Sequence, residues 1–206
     1  LLPKTHFSSG LEIGAGDGFQ TTLLSPHINK LISSDLNFKR IKESLKVPNV
    51  EYRTLDADAI ERIFSPNTFD FIFSSNVLEH VRNPQKVLEE ARKMLTNDGY
   101  AVHIIPSRYI KIFYLLFYYP NLVLLAVDRI MGKFKGKPFF RGTGVNLENN
   151  INVPLGGPTA KWKFLFPSVH GNFPSHIEEF VAFGKKQWER KFIEAGYSIV
   201  TYAKGP

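Results

Sequence analysis

The chain has 206 residues, of which 43% are hydrophobic and 22% charged, and its formal net charge is +7. This size and composition indicate one globular domain and exclude a disordered chain. The lack of cysteine excludes disulfides, thiolate metal sites and a cysteine nucleophile, and it is compatible with a reducing cytoplasm. The positive charge favours an anionic partner, such as nucleic acid, a lipid headgroup surface or a phosphorylated substrate; a solvated basic surface is the plain alternative.

We expect neither a metal site nor a signal peptide. The six histidines show none of the spacings of histidine metal motifs, so we predict no metal site. Lys4 is not followed by an apolar segment long enough for the core of a signal peptide, so we predict no signal peptide.

A glycine-rich turn follows the first apolar run of the chain. Residues 11–18 read Leu-Glu-Ile-Gly-Ala-Gly-Asp-Gly, and a helix is predicted to begin at Phe19. Gly14, Gly16 and Gly18 allow positive φ or a close approach of the backbone to a ligand. A dinucleotide fingerprint would need a glycine at position 19. The loop therefore predicts a nucleotide site that lacks the pyrophosphate-type glycine.

Acidic residues follow the next two predicted strands. A strand over 31–35 ends in Asp35, about 20 residues after Gly14, where a carboxylate can accept hydrogen bonds from both hydroxyls of a ribose. A helix cap is the structural alternative for Asp35. A second helix is predicted from the spacing of Phe38, Ile41 and Leu45. A strand over 50–55 then leads directly to Asp56, Ala57 and Asp58, and we expect one of the two acids to cap the turn that follows.

The next apolar run predicts a central strand over 69–75, buried on both faces. It ends in small polar residues, including Ser75 and Asn76, and His80 follows shortly after. Ligands of doubly wound sheets lie outside the carboxyl ends of the strands, so we expect these side chains at a site edge. Asn83 and Pro84 predict the start of a helix that ends near Asn97, and a fifth strand is predicted over 100–106.

These motifs together resemble class I S-adenosylmethionine-dependent methyltransferases with a type 11-like domain. Residues 12–18 resemble the first motif of the family and residues 69–81 the fourth, and the resemblance extends from Leu11 to Pro106. It implies an α/β fold with a doubly wound, mostly parallel, Rossmann-like sheet, and S-adenosyl-L-methionine as cofactor. The cofactor-binding residues that it implies are Glu12, Gly14, Ala15, Gly16, Gly18, Asp35, Leu36, Asp56, Ala57, Asp58, Ser75 and Asn76.

Within that set, the resemblance implies a role for each group. The glycine loop would meet the methionyl part of the cofactor, and Glu12 would order that loop. Asp35 would hold the ribose, and either Asp56 or Asp58 the adenine. The family takes its acceptor-specific residues from segments after the fifth strand. His170 is therefore a candidate catalytic base or acceptor contact, with His176 as the second choice. His80, after the fourth strand, is our other candidate base.

An unusual apolar segment follows the fifth strand. Residues 112–127 carry no charge, and Pro120 is expected to break or kink the segment. The five basic residues between Arg129 and Arg141 have no acid among them. Residues 110–141 therefore suggest either a lid or dimer contact, or a peripheral contact with an anionic membrane surface. Nucleic acid ranks last because no binding module accompanies the charge.

The remainder of the chain is predicted to extend this insertion. We assign one methyltransferase domain to residues 1–206, with a lid or insertion over 107–180, of which 142–159 reads as a long loop. Residues 161–166 alternate like an edge strand. A helix over 185–195 and a strand over 197–202 resemble the later sheet elements of the family.

The overall prediction is a methyltransferase that acts on a small-molecule or lipid-linked acceptor, in the cytoplasm or at the inner face of the membrane. A lipid-linked or glycan intermediate would suit the apolar and basic segments. The alternatives are an inactive methyltransferase-like binding module, a soluble small-molecule methyltransferase and, on different chemistry, a nicotinamide oxidoreductase. The acceptor atom and the oligomeric state do not follow from the sequence.

Overall fold

A computed structural model of the chain describes residues 3–135 and 175–203. The strands are β1 (Phe7–Ile13), β2 (Ile28–Asp35), β3 (Val50–Thr54), β4 (Phe69–Ser75) and β5 (Leu95–Ile104). The helices are α1 (Phe19–Leu24), α2 (Pro84–Met94), α3 (Arg108–Lys135), α4 (His176–Ala182) and α5 (Lys185–Glu194). Short 3-10 turns lie at Ser25–His27, Phe38–Arg40, Glu43–Leu45 and Ala57–Arg62.

The five strands form a parallel sheet in the order β3-β2-β1-β4-β5. The central strand is β1, in which Ile13 lies beside Ser34 of β2 on one side and Ser74 of β4 on the other. The chain moves outward from β1 to β3 and then returns to β4 across β1, so the strand order reverses between β1 and β4. This arrangement confirms the predicted doubly wound fold and puts the expected ligand edge at the ends of β1 and β4.

The sheet is buried on both faces. Along β4, Ile72 belongs to one apolar cluster, whereas its neighbours Phe71 and Phe73 belong to another. The first cluster includes Leu88 of α2 and Trp188 of α5. Burial on both faces explains why β4 reads as a continuous apolar run, because strands of a covered parallel sheet need no polar face.

Helix α2 begins and packs as its sequence predicts. Oδ1 of Asn83 accepts a hydrogen bond from the backbone N–H of Lys86 at 3.2 Å, and Pro84 occupies the first turn. The buried residues of this helix include Val87, Leu88, Ala91 and Met94. The helix then runs directly into β5, so residues 97–99 lie in the strand and do not end the helix as predicted.

The helix predicted through Phe38, Ile41 and Leu45 is wrong, because this segment forms two separate 3-10 turns. Lys42, between the turns, has an extended backbone and donates its N–H to the carbonyl of Asp17 at 2.9 Å. Its Nζ also lies 2.9 Å from Oδ2 of Asp17. These contacts with the glycine loop replace the local hydrogen bonds that a continuous helix would need.

One later prediction is also wrong, and a second is wrong in one of its two alternatives. Residues 197–202 form no strand and pair with none of the described strands. The hydroxyl of Tyr197 donates a hydrogen bond to the carbonyl of Leu88 at 3.2 Å. The apolar segment does not break at Pro120, since α3 continues through this residue, and the alternative of a kink there stays a prediction. A proline removes only one backbone hydrogen bond from a helix. Pro120 is exposed, and more than two turns of helix flank it on either side.

The chain divides into two compact units. One, formed by residues 1–107 and 170–206, contains the sheet, and the other, residues 108–169, contains α3. Much of the predicted insertion, including the loop at 142–159 and the alternating segment at 161–166, lies outside the described residues, so its boundaries stay predictions. Within residues 3–135 and 175–203, no helix is long and apolar enough to cross a membrane.

Candidate cofactor site

The carboxyl ends of β1, β2 and β4 bring the predicted site residues to one edge of the sheet. The backbone N–H groups of Gly14 and Ala15 both donate to the carbonyl of Ser34, at 2.7 and 2.9 Å. The loop after β1 is therefore fastened to the end of β2. Ser75 at the end of β4 accepts a hydrogen bond from Nε2 of Gln20 in α1, at 3.1 Å. The glycine loop is thus held between its two neighbouring strands.

The three glycines of the loop all have positive φ, but they meet different surroundings. A Cβ on Gly14 (φ 78°) would lie 2.2 Å from Cγ2 of Val77, and one on Gly18 (φ 90°) would lie 2.9 Å from Cγ2 of Ile41. A Cβ on Gly16 (φ 60°) would meet no atom within 4 Å. Gly14 and Gly18 are thus required by packing within the protein, whereas the backbone of Gly16 faces open space.

Asp35 ties the end of β2 to this loop. Its Oδ2 accepts the backbone N–H of Gly16 at 3.0 Å, and its Oδ1 accepts the N–H of Asn37 at 2.9 Å. A carboxylate has about four lone-pair sites, so two backbone donors leave acceptor capacity for two hydroxyls. The side chain is largely buried, and it lies against the one loop glycine that faces open space.

Glu12 lies beneath the loop and is 1% exposed. Its Oε2 accepts hydrogen bonds from the hydroxyls of Thr21 in α1 and Ser33 in β2, while Oε1 has no partner among the described residues. Burial raises the pKa of this carboxyl, the hydrogen bonds from Thr21 and Ser33 oppose the shift, and the charge of Asp35 adds to it. Glu12 thereby joins α1 to β2 and positions the loop above it.

The raised pKa of Glu12 predicts a pH dependence of stability. The unfolded carboxyl titrates near 4.5, and the folded protein retains the proton to higher pH. The free energy of unfolding therefore falls as the pH rises through the window above 4.5. Glu12→Gln keeps an oxygen that can accept from both hydroxyls and removes the titration, so we expect a smaller fall between about pH 5 and about pH 8. Urea denaturation at both pH values measures the difference.

An exposed carboxylate serves as the control for this experiment. Glu51→Gln on β3 removes the same charge from a side chain that is 54% exposed, and we expect it to leave the pH dependence of wild type unchanged. An equal change in both variants would mean that the effect comes from net charge, and the assignment to Glu12 would be wrong.

At the end of β3, Asp56 acts as the predicted cap. Its Oδ1 accepts the backbone N–H of Asp58 at 3.0 Å, at the start of the Ala57–Arg62 turn. Asp56 is exposed, Asp58 is half-buried and Ala57 is buried. The backbone carbonyl of Asp58 accepts from Nζ of Lys86 at 3.4 Å. Both acids remain candidates for an adenine contact, and the cap accounts for one oxygen of Asp56.

The end of β4 turns sharply at Asn76, whose φ is 52°. Its N–H donates to the carbonyl of Ile104 at 3.0 Å, and asparagine tolerates this left-handed conformation better than most residues. His80 follows with a side chain that is 50% exposed, and its Nε2 lies 3.9 Å from Oε1 of the buried Glu79. Burial raises the pKa of Glu79.

The other predicted site residues are Ala15, Leu36, His170 and His176. Ala15 is buried in the loop, and Leu36 is 69% exposed directly after Asp35. His170 lies outside the described residues. His176 begins α4, with Nδ1 3.8 Å from Oε2 of Glu179. Among the described residues, no group of three or more His, Asp or Glu side chains could hold a metal ion.

Several supporting residues were not predicted from the sequence. They are Thr21 and Ser33 beneath the loop, Gln20 beside Ser75, Val77 against Gly14, and the pair of Asp17 and Lys42. An acid within an apolar strand does signal that buried donors must lie near it, since a buried charge needs partners. The identity of those donors depends on contacts between separate elements.

A half-buried histidine also lies near this edge. Nδ1 of His103 in β5 is 2.7 Å from Oγ of Ser74, and its ring packs against Phe192 with 5.4 Å between the centroids. Burial lowers the pKa of His103 to about 4, so it is neutral at pH 7. Its ring packs against α5, whereas the side chain of His80 is 50% exposed after β4.

Comparison with known proteins agrees with this geometry. Residues 11–103 match the family model described as "Methyltransferase domain". Residues 11–103 are a methyltransferase domain. The match begins in β1 and ends in β5, so it contains the glycine loop, Asp35 and the end of β4. It confirms, for this segment, the predicted resemblance to class I S-adenosylmethionine-dependent methyltransferases.

Several individual proteins are similar to the methyltransferase domain and its surroundings. The uncharacterized protein MJ1123 of Methanocaldococcus jannaschii is 32% identical over 98 residues, which are 48% of this chain and 43% of that protein. The YcgJ protein of Bacillus subtilis is 23% identical, with a TM-score of 0.43 over 48% of this chain and 44% of that one. The N-methyltransferase NodS of Bradyrhizobium japonicum, solved with S-adenosyl-L-homocysteine, is 26% identical, with a TM-score of 0.42 over 48% and 52%. The chain thus spans about half the length of these relatives.

The methyltransferase domain has a geometry that fits its expected cofactor. Gly16 offers backbone next to open space, and Asp35 places a carboxylate with spare acceptor capacity against the same glycine. Asp56 and Asp58 supply further acceptors after β3. A nucleoside with a ribose diol and an exocyclic amine requires acceptors of this kind. The residues present therefore fit S-adenosylmethionine.

Proposed function

We propose that this protein transfers a methyl group from S-adenosylmethionine to an amphipathic, anionic acceptor, such as a lipid-linked or glycan intermediate at a membrane surface. The observation that carries the proposal is the pairing of Asp35 with Gly16, a carboxylate held at 3.0 Å from the loop glycine that faces open space. This pairing lies inside the segment that matches a methyltransferase domain.

When bound, S-adenosylmethionine supplies a methyl group already activated by a sulfonium. The protein then has to hold the acceptor in line and, for an oxygen or N–H acceptor, accept a proton. Asp35 accepts from the ribose hydroxyls, Asp56 or Asp58 accepts from the adenine amine, and the backbone of Gly16 meets the methionyl part. Glu12 acts indirectly, because it holds α1 against β2 below the loop.

His80 is our candidate to accept the proton. Its side chain is half exposed at the carboxyl end of β4, beside the buried carboxyl of Glu79. A neutral imidazole has a ring nitrogen with a free lone pair, which is the group that accepts the proton in general base catalysis. His170, our second candidate, lies outside the described residues.

The nature of the acceptor is inferred from composition. The chain carries a net charge of +7, and α3 exposes a long row of large apolar side chains. An acceptor with an apolar part and an anionic group would suit both features. A soluble small molecule and an inactive binding module remain the competing functions.

Calorimetry and a methyl-transfer assay test the proposal together. We expect S-adenosylhomocysteine to bind at micromolar concentration, and tritium from methyl-labelled S-adenosylmethionine to enter the organic phase of a polar lipid extract. Label in the aqueous fraction alone would favour a soluble acceptor. Binding without transfer to either fraction would favour the inactive module, and absence of binding to folded protein would contradict the proposal.

A further inference from the structure

Many apolar side chains of α3 are exposed among those that the structure describes. The exposed fractions of eight of them lie between 45% and 62%: Tyr109, Ile112, Phe113, Leu116, Phe117, Val123, Leu124 and Val127. We call this set the α3 stripe. Within 109–117 and within 123–127, each member lies three or four positions from another member, which keeps the set on one face of a helix. The stripe is about 27 Å long at a rise of about 1.5 Å per residue.

Contiguous exposed apolar surface of this extent indicates a contact with another molecule or with a membrane. In soluble proteins single exposed apolar side chains are common, but eight large ones on one helix face are not accounted for by chance exposure. Two aromatic members, Phe113 and Phe117, also stack on each other with 6.3 Å between the ring centroids. The stripe therefore presents an ordered apolar surface.

Charge along α3 distinguishes between the partners that could cover the stripe. The helix contains five basic residues and one acid; the basic ones are Arg108, Lys111, Arg129, Lys133 and Lys135. They lie at the two ends of the helix and leave the middle uncharged. A second α3, parallel or antiparallel, would bring basic ends against basic ends, which is repulsive. An anionic bilayer offers headgroups to the basic ends and apolar chains to the stripe.

We propose that α3 docks on the surface of an anionic lipid bilayer, with the α3 stripe inserted at the boundary between headgroups and acyl chains. Aromatic side chains favour this boundary, and four of the exposed residues in the first half of α3 are aromatic: Tyr109, Phe113, Phe117 and Tyr119. The docking concerns the location of the protein and does not depend on its chemistry.

Vesicle flotation with the full chain tests the docking without cofactor or acceptor. We expect wild type to float with vesicles that contain about 30 mol% phosphatidylglycerol in phosphatidylcholine, and not with phosphatidylcholine alone, because the basic ends need anionic headgroups. Salt at about 0.5 M should weaken the binding, since it screens those charges. The double variant Phe113→Asp/Phe117→Asp should lose roughly tenfold or more in vesicle affinity.

A matched double variant controls for charge and for apolar loss. Ile177→Asp/Ile193→Asp changes two exposed apolar residues of α4 and α5, which are 77% and 63% exposed, and should float like wild type. Thermal unfolding and S-adenosylhomocysteine titration should be unchanged in both double variants, which separates lost docking from lost fold or cofactor binding.

Three results would overturn the docking. Wild type could fail to float with anionic vesicles, or the two double variants could lose binding equally. Sedimentation velocity without lipid could also find a wild-type dimer that the Phe113→Asp/Phe117→Asp variant converts to monomer, which would make the stripe an interface between two copies. A methyltransferase that binds S-adenosylhomocysteine but no vesicles would retain the proposed cofactor and lose only the docking.

Discussion

Asp35→Ala is expected to reduce the affinity for S-adenosylhomocysteine about 100-fold or more, because a hydrogen bond to a charged acceptor contributes about 1.5–3 kcal/mol and two ribose hydroxyls would lose theirs. The substitution also releases the N–H of Gly16, which Oδ2 of Asp35 accepts at 3.0 Å, so the loop itself loses an anchor. Asp35→Asn retains one acceptor oxygen in the same shape and should bind with intermediate affinity. Isothermal titration calorimetry measures all three proteins.

Asp70 provides a control for the structural part of this effect. Its carboxylate accepts the backbone N–H groups of Ser8 and Ser9, both at 2.9 Å, at the amino end of β4. Asp70→Ala thus removes a carboxylate that fastens backbone at the opposite edge of the sheet. We expect it to lower the free energy of unfolding and to leave the affinity for S-adenosylhomocysteine unchanged. If folded Asp35→Ala bound the ligand within about threefold of wild type, two hydroxyl contacts could not have been lost, and the ribose assignment would be wrong.

Gly14→Ala is expected to lose stability, whereas Gly16→Ala is expected mainly to lose affinity for the cofactor. At Gly14 the new methyl would lie 2.2 Å from Cγ2 of Val77 and the backbone would keep φ 78°, so overpacking and left-handed strain act together. We expect a loss of roughly 2–5 kcal/mol in the free energy of unfolding. At Gly16 only the strain applies, at about 1–2 kcal/mol, and the methyl enters the space proposed for the cofactor. Gly16→Ala should therefore fold and bind S-adenosylhomocysteine poorly.

A second substitution separates packing from backbone strain at Gly14. Val77→Ala removes the Cγ2 atom that the new methyl would meet, so the double variant Gly14→Ala/Val77→Ala should recover part of the stability that Gly14→Ala loses. The interaction energy from a double-mutant cycle measures this recovery. Additive effects would show that Val77 is not the obstacle. Normal binding by Gly16→Ala would show that the space beside Gly16 is not used by the cofactor.

The predictions that succeeded rest on short-range patterns. The apolar run at 69–75, the cap at Asn83 and the helix from Phe19 to Leu24 are each determined by neighbouring residues, and each appears at the predicted position. The match over residues 11–103 confirms the domain that the ordered motifs indicated. The helix predicted over Phe38 to Leu45 failed because Lys42 makes its hydrogen bond with Asp17, 25 residues earlier, which no local pattern contains.

The predictions for the cofactor site divide in the same way, between local patterns and contacts that are distant in sequence. That Asp35 and the acids at 56 and 58 would share an edge with the glycine loop follows from sequence, because the ends of parallel strands meet there. Sequence could not separate Gly14 from Gly16, since both are glycines in one turn. The separation comes from Val77, which contacts the position of a Cβ on Gly14 from the turn after β4.

The sequence alone determined the type of domain, the order of its elements and the edge at which a nucleoside would bind, because periodicity and turn residues act over a few positions. Only the tertiary structure decided which glycine faces open space, which hydroxyls donate to Glu12 and which of the described side chains of α3 are exposed. Those properties depend on atoms that are distant in the chain and adjacent in space. Burial and packing therefore assign roles that residue identity leaves open.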